Sequence, residues 1–469
     1  MTSQEGQLLQ NEPVETKVTE SAYRRLLGRN DFTRLLSGQL VSNAGSSISY
    51  LALLFFAFDI SGTATAMAIL AMVEVFPLIA FSGLIGVYVD RWDRKKIMIG
   101  ADFVRAALIL LFPFVTLFPS YLPPIYWLYI LAFIYSSVNA FFYPARSAAI
   151  PSLVETKDLV TANSLSTMTF QIISLIVTPL GGVLVALLRP DYFLAFFIDG
   201  VTFLLSVAFL WGIKTPLKPK KVADREVPFI KEILEGAMII RTSGLMSFII
   251  GMFTVLSLGS GMVNALVIPF FEGELGFDSI QFSLLLSGSA VSGLLSALYL
   301  GNRSQLSKPL YIITAAMIWA GAVILGMSLI SNFIGALLLF SSIGLINVSI
   351  GVPANALIQE LIEGDKLGRV FSFESIMINI ALVIGMGFGG VWADAVGSSR
   401  PPFFLGGLVI ALVGVVGALV VARLRLHSQI DEIRSVREAE VIAAIPQREE
   451  EVMEEIQKIA DLPDDVPTS

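Results

Sequence analysis

Two carboxylates stand inside stretches of sequence that are otherwise apolar. Glu74 lies near the middle of one such run, and Asp199 lies toward one end of another. A charged group at the centre of a bilayer costs about 2.5–3.5 kcal/mol, so each acid needs a physical reason. One reason is proton coupling, in which a buried carboxyl binds and releases a proton. The other is structural, with Glu74 protonated or hydrogen-bonded and Asp199 bonded to serine or to the backbone. The sequence leaves both open.

Other charged residues stand near the ends of the apolar runs. Asp102 and Arg105 are three residues apart, a spacing that places them on one side of a helix and predicts an ion pair. We expect this pair, Arg146 and Glu374 to support a gate on one side of the membrane. Glu374 is also a candidate partner for Arg94 or Arg105.

Neutral polar side chains recur within the same runs. They either line a cavity or form hydrogen bonds between helices, and the sequence does not separate these two roles. The candidates for a cavity are Gln39, Asn43, Asn139, Gln171, Asn264, Asn347 and Asn379.

The elements that must hold these residues are hydrophobic runs that recur from Leu35 to Arg423, twelve in all. A helix of ~20 apolar residues covers a hydrocarbon layer of ~30 Å. The chain is 55% hydrophobic and 15% charged, against about 25% charged in a soluble domain. Because the apolar blocks are continuous and do not alternate, they predict helices and not the strands of a barrel. The fold class is therefore an all-α membrane protein.

Lysine and arginine are concentrated in alternate loops between these runs. The loop after the second run holds Arg91, Arg94, Lys95 and Lys96, whereas the opposite loops hold only Arg189 and Arg400. The positive-inside rule then places the basic loops and both termini in the cytoplasm. We expect a multi-pass protein of the plasma membrane.

The runs divide into two sets of six, joined by a basic connection. A loose repeat supports two pseudo-symmetric six-helix bundles, because Pro144-Ala145 and Pro353-Ala354 both end the fourth run of a half. Within the connection, residues 229–240 form an amphipathic helix that lies on the membrane surface or in a solvated linker. The predicted segments are an N-terminal segment (1–30), a first bundle (31–213), a linker (214–244), a second bundle (245–424) and an acidic tail (425–469).

The sharpest local motif follows the second run. It places Gly86 four residues before Asp90-Arg91, with Arg94-Lys95 after them. A glycine lets a neighbouring helix approach closely, and a carboxylate there accepts hydrogen bonds from a helix N-terminus. We expect Asp90 to accept in this way and Arg94 to pair with a nearby carboxylate. Such contacts would hold the cytoplasmic side closed.

This motif resembles the loop signature of the major facilitator superfamily, with Asp93 where glycine is usual. Residues 142–154, 162–165, 102–106 and 368–372 resemble the branch of macrolide efflux proteins and enterobactin exporters, which are drug:proton antiporters. The resemblance implies two six-helix bundles that work by alternating access. It also implies proton antiport of amphipathic small molecules, such as drugs, macrolides or siderophores, and hence a role in multidrug resistance.

The residues that are missing narrow the function further. The chain has no cysteine, a single histidine (His427) and no phosphate-binding Gly-x-x-x-x-Gly-Lys-Ser/Thr loop. We therefore expect no enzyme activity, no metal, no cofactor and no nucleic acid partner, with the proton gradient as energy source and a monomer as the working unit. The alternatives are an importer, a lipid or lysolipid carrier, the membrane subunit of an ATP-driven complex, or a receptor.

Overall fold

The structure is a computed structural model of the 469-residue chain. It describes residues 30–118, 121–155, 158–218, 229–301, 308–362 and 364–424, together with Leu26, Gly28, Leu426, Ser428, Ile430 and Ser435. The predictions for the N-terminal segment and for most of the acidic tail lie outside these residues.

The described residues form helices joined by short turns. Within the described ranges, ten helices are each long and apolar enough to cross a bilayer. In chain order the α-helices are α1 (Asn30–Ser61), α2 (Ala64–Arg91), α3 (Arg94–Ile109), α4 (Pro124–Leu153), α5 (Leu159–Ile172), α6 (Thr178–Leu188), α7 (Phe193–Trp211), α8 (Phe229–Thr242), α9 (Gly244–Ala265), α10 (Ser279–Gly301), α11 (Pro309–Leu329), α12 (Phe333–Leu361), α13 (Gly364–Val396) and α14 (Arg400–Arg423).

Three of the predicted spans are built from shorter pieces. The third is α3 followed by a 3₁₀ turn at Phe112–Leu117, and the fifth is α5 and α6 joined by a wider π-helical turn at Ile173–Val177. The seventh is α9 followed by a π-helical turn at Pro269–Glu274. Pro179 explains the wide turn of the fifth span, because its ring displaces the carbonyl of Leu175 four residues earlier. Every predicted span thus corresponds to a helical segment, and the all-α membrane fold class is confirmed.

The contacts group the chain into two compact units. Unit 1 comprises Met1–Phe56 and Ala80–Asp224, and unit 2 comprises Ala57–Ile79 and Arg225–Ser469. Both α1 and α2 are therefore divided between the units, since residues 57–61 of α1 and 64–79 of α2 belong to unit 2 and the rest of each helix belongs to unit 1. The predicted bundle boundaries at 31–213 and 245–424 remain a prediction from the sequence.

Unit 1 has a core of large apolar side chains from α1, α3, α4 and α7. Phe32, Met98, Phe142, Ile150 and Leu210 are all buried in one cluster. These residues pack together four helices, two of which, α3 and α7, carry most of the buried charged groups among the described residues.

Unit 2 contains the first part of α2 and the helices α8 to α14. Its two larger apolar clusters centre on Ile249 and Ile313, and on Ile240 and Val370. The helices α10 and α12 cross so closely at Gly344 that a β-carbon there would overlap the carbonyl of Ser289. This crossing fixes the two helices against each other.

The Pro-Ala repeat lies inside helices and not after them. Pro144 is within α4 and Pro353 is within α12. Each lies within about three turns of the end of its helix, and the alanine that follows is buried in both, at Ala145 and Ala354. The two halves of the sequence thus place the same dipeptide at comparable depths in corresponding helices.

Candidate functional site

A buried carboxylate surrounded by hydroxyl groups lies in unit 1. Asp199, on α7, is fully buried, and its carboxylate accepts hydrogen bonds from the hydroxyls of Ser46 (3.2 Å), Ser49 and Thr202 (3.2 Å). The helices α1 and α7 approach closely here because α1 has a glycine, Gly45, at the contact, where an added β-carbon would overlap Thr202. Within the described ranges Asp199 forms no ion pair. A serine or threonine hydroxyl both donates and accepts, so this pocket satisfies the carboxyl with or without a proton.

The predicted ion pair of Asp102 and Arg105 is present on α3. Both side chains are buried, and the guanidinium of Arg105 forms an ion pair with the carboxylate of Asp102. The hydroxyl of Ser206 donates to the other oxygen of Asp102 at 2.7 Å, and Arg105 donates to Asn139 at 2.8 Å. This acid thus has a cation of its own, unlike Asp199. Its role in supporting a gate stays a prediction.

Aromatic rings enclose the cation of this pair. The guanidinium carbon of Arg105 lies 4.4 Å from the ring centre of Phe142 and 4.5 Å from that of Phe203. A guanidinium over two aromatic faces is stabilised by the ring quadrupoles where water is absent. The guanidinium of Arg105 is therefore held inside unit 1 by its ion pair with Asp102 and by the two rings.

Glu74 has a different environment. It is half-buried on α2, and it forms no hydrogen bond or ion pair with any residue that the structure describes. Its neighbours Met72 and Val75 pack against a small apolar cluster around Ala265 and Met386 in unit 2. The two proton-coupling candidates therefore belong to different units and do not form one cluster.

The motif after α2 binds the end of α7. The ammonium group of Lys95 donates to the carbonyl oxygens of Trp211 (2.8 Å) and Ile213 (2.7 Å). Arg94 donates to the carbonyl oxygen of Ala148 at 2.9 Å. Among the described residues Arg94 forms no ion pair, so the expected carboxylate partner is not found there, and the contact that is present is with a backbone carbonyl in the last two turns of α4.

The residue that departs from the family motif has a role of its own. Asp93 is the N-cap of α3, and its carboxylate accepts from the backbone N–H of Lys95 at 2.9 Å. Aspartate is a strongly preferred N-cap residue, so the usual glycine is replaced by a residue that starts the helix. Arg91 is exposed at the end of α2, and the side chains of Gly86 and Asp90 lie outside the part that the structure describes.

Two charged residues at the start of α1 complete this contact, and the sequence did not single them out. Asp31 accepts from the backbone N–H groups of Lys214 (3.0 Å) and Thr215 (2.8 Å). Arg34 pairs with Asp31 and donates to the carbonyl oxygen of Gly212. The i, i+3 spacing of Asp31 and Arg34 could have predicted their ion pair from the sequence. Their backbone partners could not be predicted in this way.

The remaining gate candidates are Arg146 and Glu374. Arg146 donates to Gln39 at 3.2 Å and lies over the ring of Tyr143. Glu374 is buried, and it has no hydrogen bond or ion pair within the described segments of the chain. The predicted pairing of Glu374 with Arg94 or Arg105 is therefore not found there.

The cavity candidates fall into three environments. Gln39 and Asn139 bind arginine side chains, and Asn379 donates to the carbonyl oxygen of Ser375 in its own helix. Asn43 is half-buried, and Asn264 and Asn347 are exposed on the protein surface. The side chain of Gln171 is outside the described set.

Unit 2 carries two acidic caps that sequence reasoning missed. Asp394 on α13 is exposed, yet its carboxylate accepts from the N–H groups of Ala64 (2.8 Å) and Thr65 (2.7 Å) at the start of α2. Glu274 accepts from the N–H groups of Ser399 and Arg400 and pairs with the Arg400 side chain at 3.0 Å. Both were invisible because their partners are backbone groups far away in the sequence.

Unit 2 also contains an apolar cavity of about 480 Å³. It is lined by the start of α9 and the ends of α12 and α14, including Phe248, Leu361 and Val420. None of the described residues that line it is charged.

The comparisons with known proteins agree with this architecture. The family described as Major Facilitator Superfamily matches residues 35–260 and 249–447. The chain belongs to the major facilitator superfamily. As a member it is a transporter and not an enzyme, and it is a multi-pass membrane protein.

Relatives within the superfamily lie in the branch that the motifs indicated. The chain is 29% identical over 402 residues to macrolide efflux protein A of Streptococcus pyogenes, which covers 83% of this chain and 95% of that protein. It is 30% identical over 330 residues to macrolide efflux protein A of Enterococcus faecalis, covering 68% and 98%. Among solved structures, the nucleoside transporter NupG matches 84% of this chain and 98% of its own, with a TM-score of 0.63 and 13% identity. That likeness concerns the fold alone.

Proposed function

We propose that this transporter exports amphipathic small molecules by proton antiport, and that Asp199 and Glu74 bind the coupling proton. The observation that carries the proposal is the hydroxyl-lined pocket of Asp199 in unit 1. A coupling group must be stable in two protonation states, and serine and threonine hydroxyls satisfy a carboxyl in both. An ion-pair partner would favour the ionised state of the carboxyl, and among the described residues Asp102 has such a partner whereas Asp199 has none.

Protonation drives transport only if it stabilises one conformational state more than another. Glu74 supports a second proton site, since it has no partner among the described residues and lies in α2, a helix divided between the two units. The motif from Asp90 to Lys95 would then control closure on the cytoplasmic side. Its contacts with the end of α7 support that role.

The substrate class rests on the relatives, whose names state macrolide efflux. A panel of fluorescent dyes, macrolides and siderophores, tested for efflux in a pump-deficient host, would identify the class. Everted vesicles under an imposed pH gradient would establish direction: accumulation inside them supports export, and depletion would identify an importer or a lipid carrier.

The coupling assignment is tested with purified transporter in proteoliposomes. Asp199→Asn and Glu74→Gln should each abolish uptake driven by a pH gradient while substrate binding is kept. Asp191→Asn is the matched control. Asp191 is an acid outside the spans, and its carboxylate accepts a hydrogen bond from the backbone N–H of Phe193. If either variant kept proton-driven transport, that residue would not be a coupling site. If transport instead required ATP and a co-purified subunit, the chain would belong to an ATP-driven complex.

We also propose a plasma-membrane location with the basic loops and both termini in the cytoplasm. The absence of native cysteine makes this direct to test with single substitutions. Lys95→Cys and Lys220→Cys should react with a membrane-impermeant maleimide from the same, cytoplasmic side. Reaction from opposite sides would overturn the topology.

A further inference from the structure

One face of α8 is fixed to α13 inside unit 2. Gly236 is buried, and a β-carbon there would overlap the backbone carbonyl of Arg369. Glu235 forms an ion pair with the side chain of Arg369 at 2.9 Å, and Ile240 is buried beside Val370. These contacts set the rotation of α8 about its own axis, so the direction of its other face is also set.

That other face is a narrow exposed stripe. Lys231, Leu234, Met238 and Arg241 follow one another at intervals of three or four residues and so share one side of the helix. The exposed fraction is 61% for Leu234 and 67% for Met238. A cation stands at each end of the apolar pair. The stripe therefore offers two apolar side chains between two positive charges.

The position of α8 along the chain places this stripe at the bilayer surface. The helix ends at Thr242, and Ser243 caps the next helix, α9, through the N–H of Met246. Because α9 is long and apolar enough to cross a bilayer, we expect its start at the depth of the lipid headgroups. A single residue separates the two helices, so the stripe begins at that same depth.

We propose that this stripe binds anionic lipids of the adjacent leaflet. Leu234 and Met238 enter the boundary between headgroups and acyl chains, while Lys231 and Arg241 bind lipid phosphates. Apolar residues flanked by cations are the pattern of helices that lie in the membrane interface, and juxtamembrane cations are attracted by anionic headgroups. A protein partner is less favoured because two apolar side chains are far fewer than a stable protein interface contains. Under this proposal the linker helix lies on the membrane surface, which is one of the two alternatives that the sequence left open.

The test uses the full chain with one cysteine, Met238→Cys, labelled with an environment-sensitive fluorophore. The transporter is reconstituted in phosphatidylcholine vesicles with or without phosphatidylglycerol, and lipids with a spin label near the headgroup act as quenchers. A label at Lys218→Cys, an exposed position in the linker, is the control. We expect severalfold stronger quenching at position 238 than at 218, and a further increase with phosphatidylglycerol.

Charge variants distinguish lipid binding by the stripe from general electrostatic attraction between the basic linker and anionic lipids. Lys231→Gln with Arg241→Gln should remove the phosphatidylglycerol increment, whereas Lys214→Gln with Lys218→Gln, which removes the same charge, should leave it unchanged. Equal quenching at 238 and 218, no effect of phosphatidylglycerol, or equal loss in both double variants would each overturn the proposal. Protection of position 238 in cell membranes but not in vesicles would point instead to a protein partner. Thermal unfolding in detergent checks that every variant is folded.

Discussion

The side-chain ammonium of Lys95 lies 2.7 Å from the carbonyl oxygen of Ile213, at the end of α7. A cation at a helix C-terminus satisfies carbonyl groups that have no partner within the helix and complements the helix dipole. The basic motif between the second and third spans therefore stabilises the end of α7 inside unit 1. Asp31 and Arg34 bind the same segment from α1, so three charged side chains converge on residues 212–215.

The contact of Lys95 predicts a difference between two adjacent lysines. Lys95→Met should lower the stability of the transporter by about 1–3 kcal/mol, because charged hydrogen bonds to two carbonyl groups are lost. Lys96→Met should have little effect, since Lys96 is exposed and forms no hydrogen bond with the described residues. Thermal unfolding in detergent measures both. Equal losses would mean that Lys95 contributes only through its charge.

Asp93 predicts a graded series of cap variants at the start of α3. Asp93→Ala should cost about 1 kcal/mol, because alanine cannot accept from the N–H of Lys95. Asp93→Gly, which restores the usual residue of the motif, should cost a few tenths of a kcal/mol, and Asp93→Ser should be close to neutral. Chemical denaturation of the purified protein would rank them. A glycine variant as unstable as the alanine variant would contradict the capping role.

Asp394 predicts a local effect at the start of α2. Removal of both capping hydrogen bonds in Asp394→Ala should cost about 1 kcal/mol, which corresponds to about a fivefold increase in transient opening of the first turn. The labelling rate of a single cysteine at Thr65 reports that opening. Asp278→Ala is the matched control, because Asp278 caps α10 through the N–H of Gln281. A rate that rises equally in both variants would indicate general loosening.

The helix crossing at Gly344 predicts a penalty for one added methyl group. Gly344→Ala would place a carbon on the carbonyl of Ser289. Such overpacking forces the helices to shift and lowers the free energy of unfolding by about 1–3 kcal/mol. Gly351→Ala, two turns along the same helix in open space, should be neutral or slightly stabilising. The two melting temperatures should differ accordingly. A stable Gly344→Ala variant would show that α10 and α12 separate without cost.

The sequence predicted local features well and long-range ones poorly. The spans follow from runs of apolar residues, and the ion pair of Asp102 and Arg105 follows from helical spacing, so both were readable. The partners of Lys95, Arg94 and Asp394 are backbone groups more than fifty residues away. Backbone carbonyl and N–H groups are present at every position and leave no mark in the sequence. Interactions with them emerge only when the fold is known.

Pro77 lies in α2 just before the boundary at which this helix passes from unit 2 to unit 1. Proline has no N–H to donate, so one rung of the helical hydrogen-bond ladder is missing and bending is easiest near this position. The missing hydrogen bond lies one turn beyond Glu74, so a bend at Pro77 would change the angle between the part of α2 that carries Glu74 and the part that ends at Arg91.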